Sequence, residues 1–202
     1  MDPSYLEFAE VTAEFLQTAI EYILYLRSVY PGMFERSMKY GVSIHRSSKQ
    51  LLSEYIYKLT HSLKPNLLDG KLSKVILVIK RLHQISESYT FQFTNWRLSL
   101  HDIDIPQIRR QFKIILQSLA NLELKNDFTS CCEENEPLFN VEIELFNGCC
   151  EITGENWTPI ENGGSFADGN LTPVRSADLG IFKLQLFGIE FDGCKKDHSH
   201  QI

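Results

Sequence analysis

A chain of 202 residues, 43% hydrophobic and 23% charged, lies in the ordinary range for one globular domain and can bury a sizeable core. Its net charge of -6 excludes a phosphate-tracking groove, because nonspecific nucleic-acid affinity needs clustered positive charge, so any link to DNA would run through another protein. No apolar run approaches the roughly 18 to 20 residues that span a bilayer, and residues 1–4 do not open a signal peptide, so the expectation is an intracellular chain without membrane contact.

Residues 8–30 hold helical spacing through Phe8, Phe15, Ala19, Ile23, Leu26 and Tyr30. Val11, Leu16, Ile20 and Leu24 widen the apolar face, which predicts a helix buried over most of its circumference. Pro31 and Gly32 break it, and after a polar stretch at 35–39 the residues 42–46 alternate like a short strand. Ser47 with Gln50 three positions on has the pattern of a capping box. It would open a second helix whose buried stripe is Leu52, Tyr55, Ile56, Leu59 and Leu63, ending at Lys64 and Pro65.

After Asp69 and Gly70, residues 75–79 form a continuous β-branched and apolar run, the pattern of a central strand covered on both faces. Residues 89–93 alternate cleanly behind a polar loop, so an antiparallel hairpin is expected. The most regular helix of the chain is at 105–122, with Ile105, Ile108, Phe112, Ile115, Leu119 and Leu122 on one side. Asp104 is placed to cap it, and Pro106 in the first turn loses only an amide without an intrahelical partner. Its other face carries Arg109, Arg110 and Lys113, either a solvated basic face or a partner surface. Residues 139–145 supply a third strand with Phe139, Val141, Ile143 and Leu145 inward. The fold class is α+β, helices packed on a mainly antiparallel sheet.

The stretch 147–180 departs from this regularity. It holds Gly148, Gly154, Gly163, Gly164, Gly169 and Gly180 with Pro159 and Pro173, and is too long for a mere connector. Isolated large apolar residues, Ile152, Trp157, Ile160, Phe166 and Leu171, need something to bury against, so the segment must pack on the body, a ligand, or both. It ends in a strand at 181–189, where Phe182, Leu184 and Leu186 can face the core. The other face shows Lys183, Gln185, Phe187 and Ile189, a covered edge or a docking patch.

Signals of chemistry are weak. Cys131, Cys132, Cys149, Cys150 and Cys194 are odd in number with two vicinal pairs, which fits free thiols better than a disulfide framework or a zinc site; Cys194, His198 and His200 read as a polar tail. The sequons at Asn156 and Asn170 are unused in an intracellular chain. Asp69-Gly70-Lys71 fails as a phosphate loop because Leu72 replaces the magnesium-reaching Ser or Thr and Pro65 stands where the first glycine belongs. His45, His61, His83 and His101 are scattered without a paired nucleophile or carboxylate. No catalytic, cofactor-binding or metal-binding residue is assigned, no cofactor is expected, and catalysis is not supported.

The stretch EFLQTAIEYILYLRSVYP at 14–31, with Phe34 and KYGV at 39–42, resembles the opening helix and first strand of the HORMA-domain family. LKP at 63–65, the run at 75–79, NLTP at 170–173 and IFKLQLF at 181–187 follow in the family's order, most similar to the small accessory subunit of translesion DNA polymerase zeta. The similarity runs from about residue 8 to 190 and departs in the loop 151–168, the vicinal cysteines and the tail. It implies one HORMA domain over 1–202: a core at about 8–146, a C-terminal safety belt at about 147–191 and a polar tail at 192–202. It also implies a non-catalytic adaptor, present in the nucleus and also in the cytoplasm, whose belt closes over an extended, proline-containing peptide of the polymerase catalytic subunit. On this resemblance Tyr30, Tyr55 and Trp157 line the peptide site, although Tyr55 on a buried stripe would equally suit the core. Leu171, Gln185 and Phe187 bind a Y-family scaffold polymerase, and Lys113 pairs the chain with another HORMA domain. Phenylalanine at 187 stands where the compared relative has tyrosine, and lysine at 113 where it has arginine, which removes a phenolic hydrogen bond and a forked contact. The alternative within the fold is a spindle-assembly-checkpoint protein capturing checkpoint or anaphase-promoting-complex activator peptides.

Overall fold

Helix α1 (Pro3–Leu26) runs through the core: between Phe8 and Leu24 every residue is buried except Glu10 and Glu14. The computed structural model describes residues 3–81, 84–98, 103–121, 137–146, 157–158 and 169–191. The wide apolar face read from the sequence is thus used on nearly all sides, and the helix ends at Leu26 rather than Tyr30. Several of its buried polar groups are matched within the fold, whereas the buried Thr12 hydroxyl has no hydrogen-bond partner among the described residues. Gln17 Nε2 donates to Glu21 Oε1 at 3.0 Å, Arg46 Nε meets Glu21 Oε2 at 2.8 Å, and Thr18 Oγ1 donates to the Glu14 carbonyl at 2.7 Å.

The polar stretch after the helix is a strand, β1 (Phe34–Lys39), paired antiparallel with β2 (Val42–Ser47). The turn between them is Tyr40-Gly41 with φ of 50° and 73°, the left-handed pair that a two-residue hairpin needs. The sequence reading missed β1 because its side chains lie mostly at the surface and carry no apolar alternation. Helix α2 (Gln50–His61) starts without the expected capping box. Ser47 closes β2 instead: its hydroxyl accepts from the Lys49 amide at 3.2 Å, and Lys49, the N-cap, makes no side-chain cap. The buried stripe is Ile56, Leu59 and Thr60, continued by Leu63, whereas Tyr55 is 49% exposed. A short helix α3 (Lys64–Leu68) follows.

Strands β3 (Leu72–Arg81) and β4 (Gln84–Thr94) form the expected hairpin, and Val75, Ile76, Leu77, Val78 and Ile79 are all buried. Helix α4 (Ile105–Ala120) is capped as its sequence indicates, Asp104 Oδ1 accepting from the Gln107 amide at 2.9 Å with Pro106 in the first turn. Leu122 lies outside the described residues. Strands β5 (Leu138–Leu145), β6 (Asn170–Asp178) and β7 (Lys183–Glu190) complete an antiparallel sheet in the order β5-β3-β4-β7-β6. Strand β6 was not expected, since Pro173 and a bulge between Pro173 and Arg175 hide its alternation.

The helices cover one face of this sheet. Phe15 of α1 stacks on Phe112 of α4 with ring centroids 4.0 Å apart and meets Phe91 of β4 edge-on at 6.3 Å, while Phe8 meets Phe182 at 5.7 Å. Val75, Leu77, Phe91, Phe93, Leu184 and Leu186 face this core. The opposite face shows the alternate residues, Ile76, Thr90 and Phe187 in one row and Val78, Ser88 and Ile189 in the next.

Candidate functional site

The sheet has two edges of different chemistry. β6 is obstructed, because Pro173 has no amide to give and the adjacent bulge breaks the repeat that another strand would follow. β5 has eight residues with neither glycine nor proline and continuous pairing to β3 from Glu144 to Leu138. No strand pairs with its outer side among the described residues. An extended chain could therefore add to β5, its backbone amides and carbonyls meeting those the edge leaves open.

Aromatic rings stand beside that edge. Phe139 of β5 receives Tyr30 edge-on at 6.1 Å and Tyr55 edge-on at 5.9 Å. Tyr30 is in the turn after α1 with a φ of 56°, a conformation costly for a bulky residue and held by the packing around it. Tyr55 projects from α2, and Leu51, one turn earlier, is 84% exposed. Next to Phe139, Leu138 is 49% exposed. The sequence reading placed Phe139 in the core and missed that it joins the two tyrosines. Its place at the start of a strand just after Pro137 was the available signal, since a strand end leaves one side of a ring uncovered.

Trp157 is not in this ring cluster. It is partly buried against the core, and its indole Nε1 donates to Ser62 Oγ at 2.9 Å at the end of α2. Ser62 Oγ itself donates to the Leu59 carbonyl at 2.7 Å. Tyr55 and Ser62 are two helical turns apart, about 10 Å along one side of α2, so Trp157 and the tyrosines flank the same helix from different ends.

The second set of expected residues lies on the sheet face turned away from the helices. Leu171 pairs with Ile189, Pro173 with Phe187 and Ser176 with Gln185, which puts Leu171, Gln185 and Phe187 on that one face. Leu171 is 59% exposed, and Gln185 and Phe187 are half-buried. Lys113 stands apart from both sets on α4, its Nζ beside Gly41 of the β1–β2 turn. Arg109, on the same helix, pairs with Glu7 at 3.3 Å.

Strand β7 is fixed to the rest of the fold at its far end by buried charge. Arg27, just beyond α1, meets Glu87 of β4 and reaches Glu190 of β7 at 3.2 Å, while the Tyr89 hydroxyl donates to Glu87 at 3.0 Å. Gly188 makes room for this group, since a Cβ there would meet the Tyr89 ring at 3.3 Å.

No group of three His, Cys, Asp or Glu among the described residues is arranged to hold a metal ion. His45 stacks on Tyr25 at 3.6 Å, and His61 lies between the Tyr57 carbonyl and Glu10, both in structural roles. His83, His101, all five cysteines and Asn156 lie outside the described residues, and no helix among those described is long and apolar enough to cross a membrane.

The HORMA domain family model matches residues 9–102. The mitotic spindle assembly checkpoint protein MAD2B of Rattus norvegicus is 39% identical over 193 residues, covering 89% of both chains. Among solved structures, a chain of the mitotic checkpoint complex superimposes with a TM-score of 0.72 at 20% identity, covering 91% of this chain and 98% of that one. HTP-2 of C. elegans bound to an HTP-3 closure motif does so with a TM-score of 0.66 at 14% identity over 90% of this chain and 85% of that one. At such identities the structural likeness speaks for the fold alone.

Proposed function

The chain belongs to the HORMA-domain family, and on that premise we propose that it is a non-catalytic adaptor which captures an extended peptide along the outer edge of β5, beneath its C-terminal belt. The observation that carries this reading is the contrast between the sheet edges: β5 is regular, has no strand on its outer side among the described residues and is lined by Tyr30, Tyr55 and Phe139, while β6 is closed by Pro173. Strand addition supplies main-chain hydrogen bonds, and the flat rings suit proline-containing segments. The solved HTP-2 relative is bound to a closure motif, which agrees with such a role.

The finer reading is an accessory subunit of translesion DNA polymerase zeta. In it the captured peptide belongs to the catalytic subunit, and the face bearing Leu171, Gln185 and Phe187 binds a Y-family scaffold polymerase in DNA damage tolerance, in the nucleus. Lys113, on the exposed side of α4, would then serve pairing with another HORMA domain, as a homo- or heterodimer. Exposure of Leu171 beside Phe187 supports a docking patch, since an aromatic next to a polar amide suits an interface.

The second reading is a spindle-checkpoint adaptor, favoured by the name of the rat relative and by the fold of the mitotic checkpoint complex. Two measurements divide the possibilities. Hydrogen exchange with and without a proline-containing peptide should show new protection over 138–145 and none over 170–178; the reverse pattern would move capture to the other edge. Co-purification of the polymerase catalytic subunit supports the first reading, and of checkpoint proteins the second.

A further inference from the structure

The outer row of β5 carries an unbalanced charge. Strand alternation puts Asn140, Glu142 and Glu144 on the sheet face turned away from α1 and α4, with Val78, Ile76 and Lys74 of β3 directly behind them. Lys74 Nζ holds Glu144 Oε2 at 2.8 Å. Glu142 has no such partner: behind it stands the apolar Ile76, 7% exposed, and it makes no ion pair among the described residues. Its remaining neighbour on this face must come from the side where no strand is paired among the described residues.

We propose that Glu142 is a specificity-determining residue of the β5 edge, selecting captured segments that place a lysine or arginine opposite it. This rests on the reading of β5 as the capture edge. A strand added there sets one residue's Cβ about 4.5 to 5.5 Å from that of Glu142, close enough for a cross-strand ion pair. Glu144 is already neutralised by Lys74, so the demand for positive charge falls on one position. The residues on either side of that cation point to the other face, beside Val141 and Ile143, where the surroundings are apolar. The segment selected therefore reads apolar, basic, apolar. An acidic residue in the middle position would meet a like charge at the same distance.

The test is a selection of short random peptides on the full chain, in wild type, Glu142→Lys and Glu142→Gln. Wild type should enrich lysine or arginine between two apolar residues, and Glu142→Lys should enrich aspartate or glutamate there. Two synthetic peptides differing only by Lys or Glu at that position should bind wild type with affinities about 3- to 10-fold apart, in inverted order for Glu142→Lys and nearly equal for Glu142→Gln. Should the lysine variant fail to fold, the glutamine variant, of the same shape, still decides the question by the loss of preference. The same charge enriched on all folded variants would overturn the role of Glu142 while leaving edge capture standing. No enrichment on wild type would overturn edge capture itself, and this inference with it.

Discussion

Arg27 Nε meets Glu87 Oε2 at 2.5 Å with only 7% and 4% of the two side chains exposed, joining the end of α1 to the middle strand of the sheet. Arg81 stands 3.6 Å from the same carboxylate and donates to the Arg27 carbonyl at 2.7 Å, and Glu190 completes a balanced set of two cations and two anions. Burial works against the Arg27 charge, but Tyr89, Glu87 and Glu190 around it hold its pKa above the ordinary value.

Removing the Glu87 charge would leave two guanidinium groups in a dry site. Glu87→Gln is expected to cost about 3 to 5 kcal/mol in urea unfolding, the usual result of breaking a buried pair from one side. Glu190, with 44% of its side chain exposed, is a weaker member. Glu190→Gln should cost under about 1 kcal/mol. Equal losses for the two variants would show that burial does not set the strength of this group.

Alkaline pH should loosen the fold through two tyrosines. Burial, then the Glu87 carboxylate, pushes the Tyr89 phenol well above its ordinary range, and burial, then Glu14, does the same for Tyr40. The unfolded chain releases these protons near pH 10 and the folded chain only at higher pH. The stability they contribute is therefore complete below about pH 10 and lost as the pH rises toward the folded values. Tyr40→Phe should lose less unfolding free energy than wild type between about pH 9 and 11. Identical slopes in the two proteins would mean that Tyr40 ionises in the fold as it does in the free chain.

The elements with strong periodicity were legible in the sequence. The α4 stripe and its Asp104 cap appear as read, because spacing and cap chemistry are local properties. β1 and β6 were not, since each is a strand by virtue of its partner: β1 through the Tyr40-Gly41 turn, β6 through β7 despite Pro173. The same limit applies to the site. Aromatic positions could be singled out, but that Phe139 gathers Tyr30 and Tyr55 depends on a turn at φ 56° and on a contact between β5 and α2. Nor could it be read that Glu142 makes no ion pair among the described residues, because this follows from the register that gives Lys74 to Glu144.

The outward face of β6 and β7 yields a separable test. Leu171 and Phe187 lie away from the β5 edge, Phe187 on β7 beyond β3 and β4, and Leu171 on β6 one strand further. On the proposed reading as a polymerase zeta subunit, Leu171→Ala and Phe187→Ala should abolish pull-down of a Y-family scaffold polymerase while retaining the catalytic-subunit peptide. Loss of both partners would indicate that the belt had unfolded, and retention of both would remove docking from this face.

Trp157 offers the sharpest separation of a binding role from a packing role. Its indole N–H is held by Ser62, whose hydroxyl is in turn tied to Leu59, so the ring has a defined seat at the end of α2. It is only partly buried, and a ring in that position loses less on truncation in the free protein than one in the centre of the core. If the belt at Trp157 closes over the peptide, truncation should chiefly affect capture: Trp157→Ala should weaken peptide binding by more than about 2 kcal/mol in calorimetry. The same variant should unfold near the wild-type urea midpoint. Ser62→Ala keeps the ring and removes one hydrogen bond, and should weaken binding by about 1 kcal/mol or less. In a double-mutant cycle the two changes should couple, because the Ser62 contribution exists only while the indole is present. Unchanged affinity in Trp157→Ala, with a lowered unfolding midpoint, would assign the tryptophan to the core and leave Tyr30, Tyr55 and Phe139 as the aromatic wall of the edge.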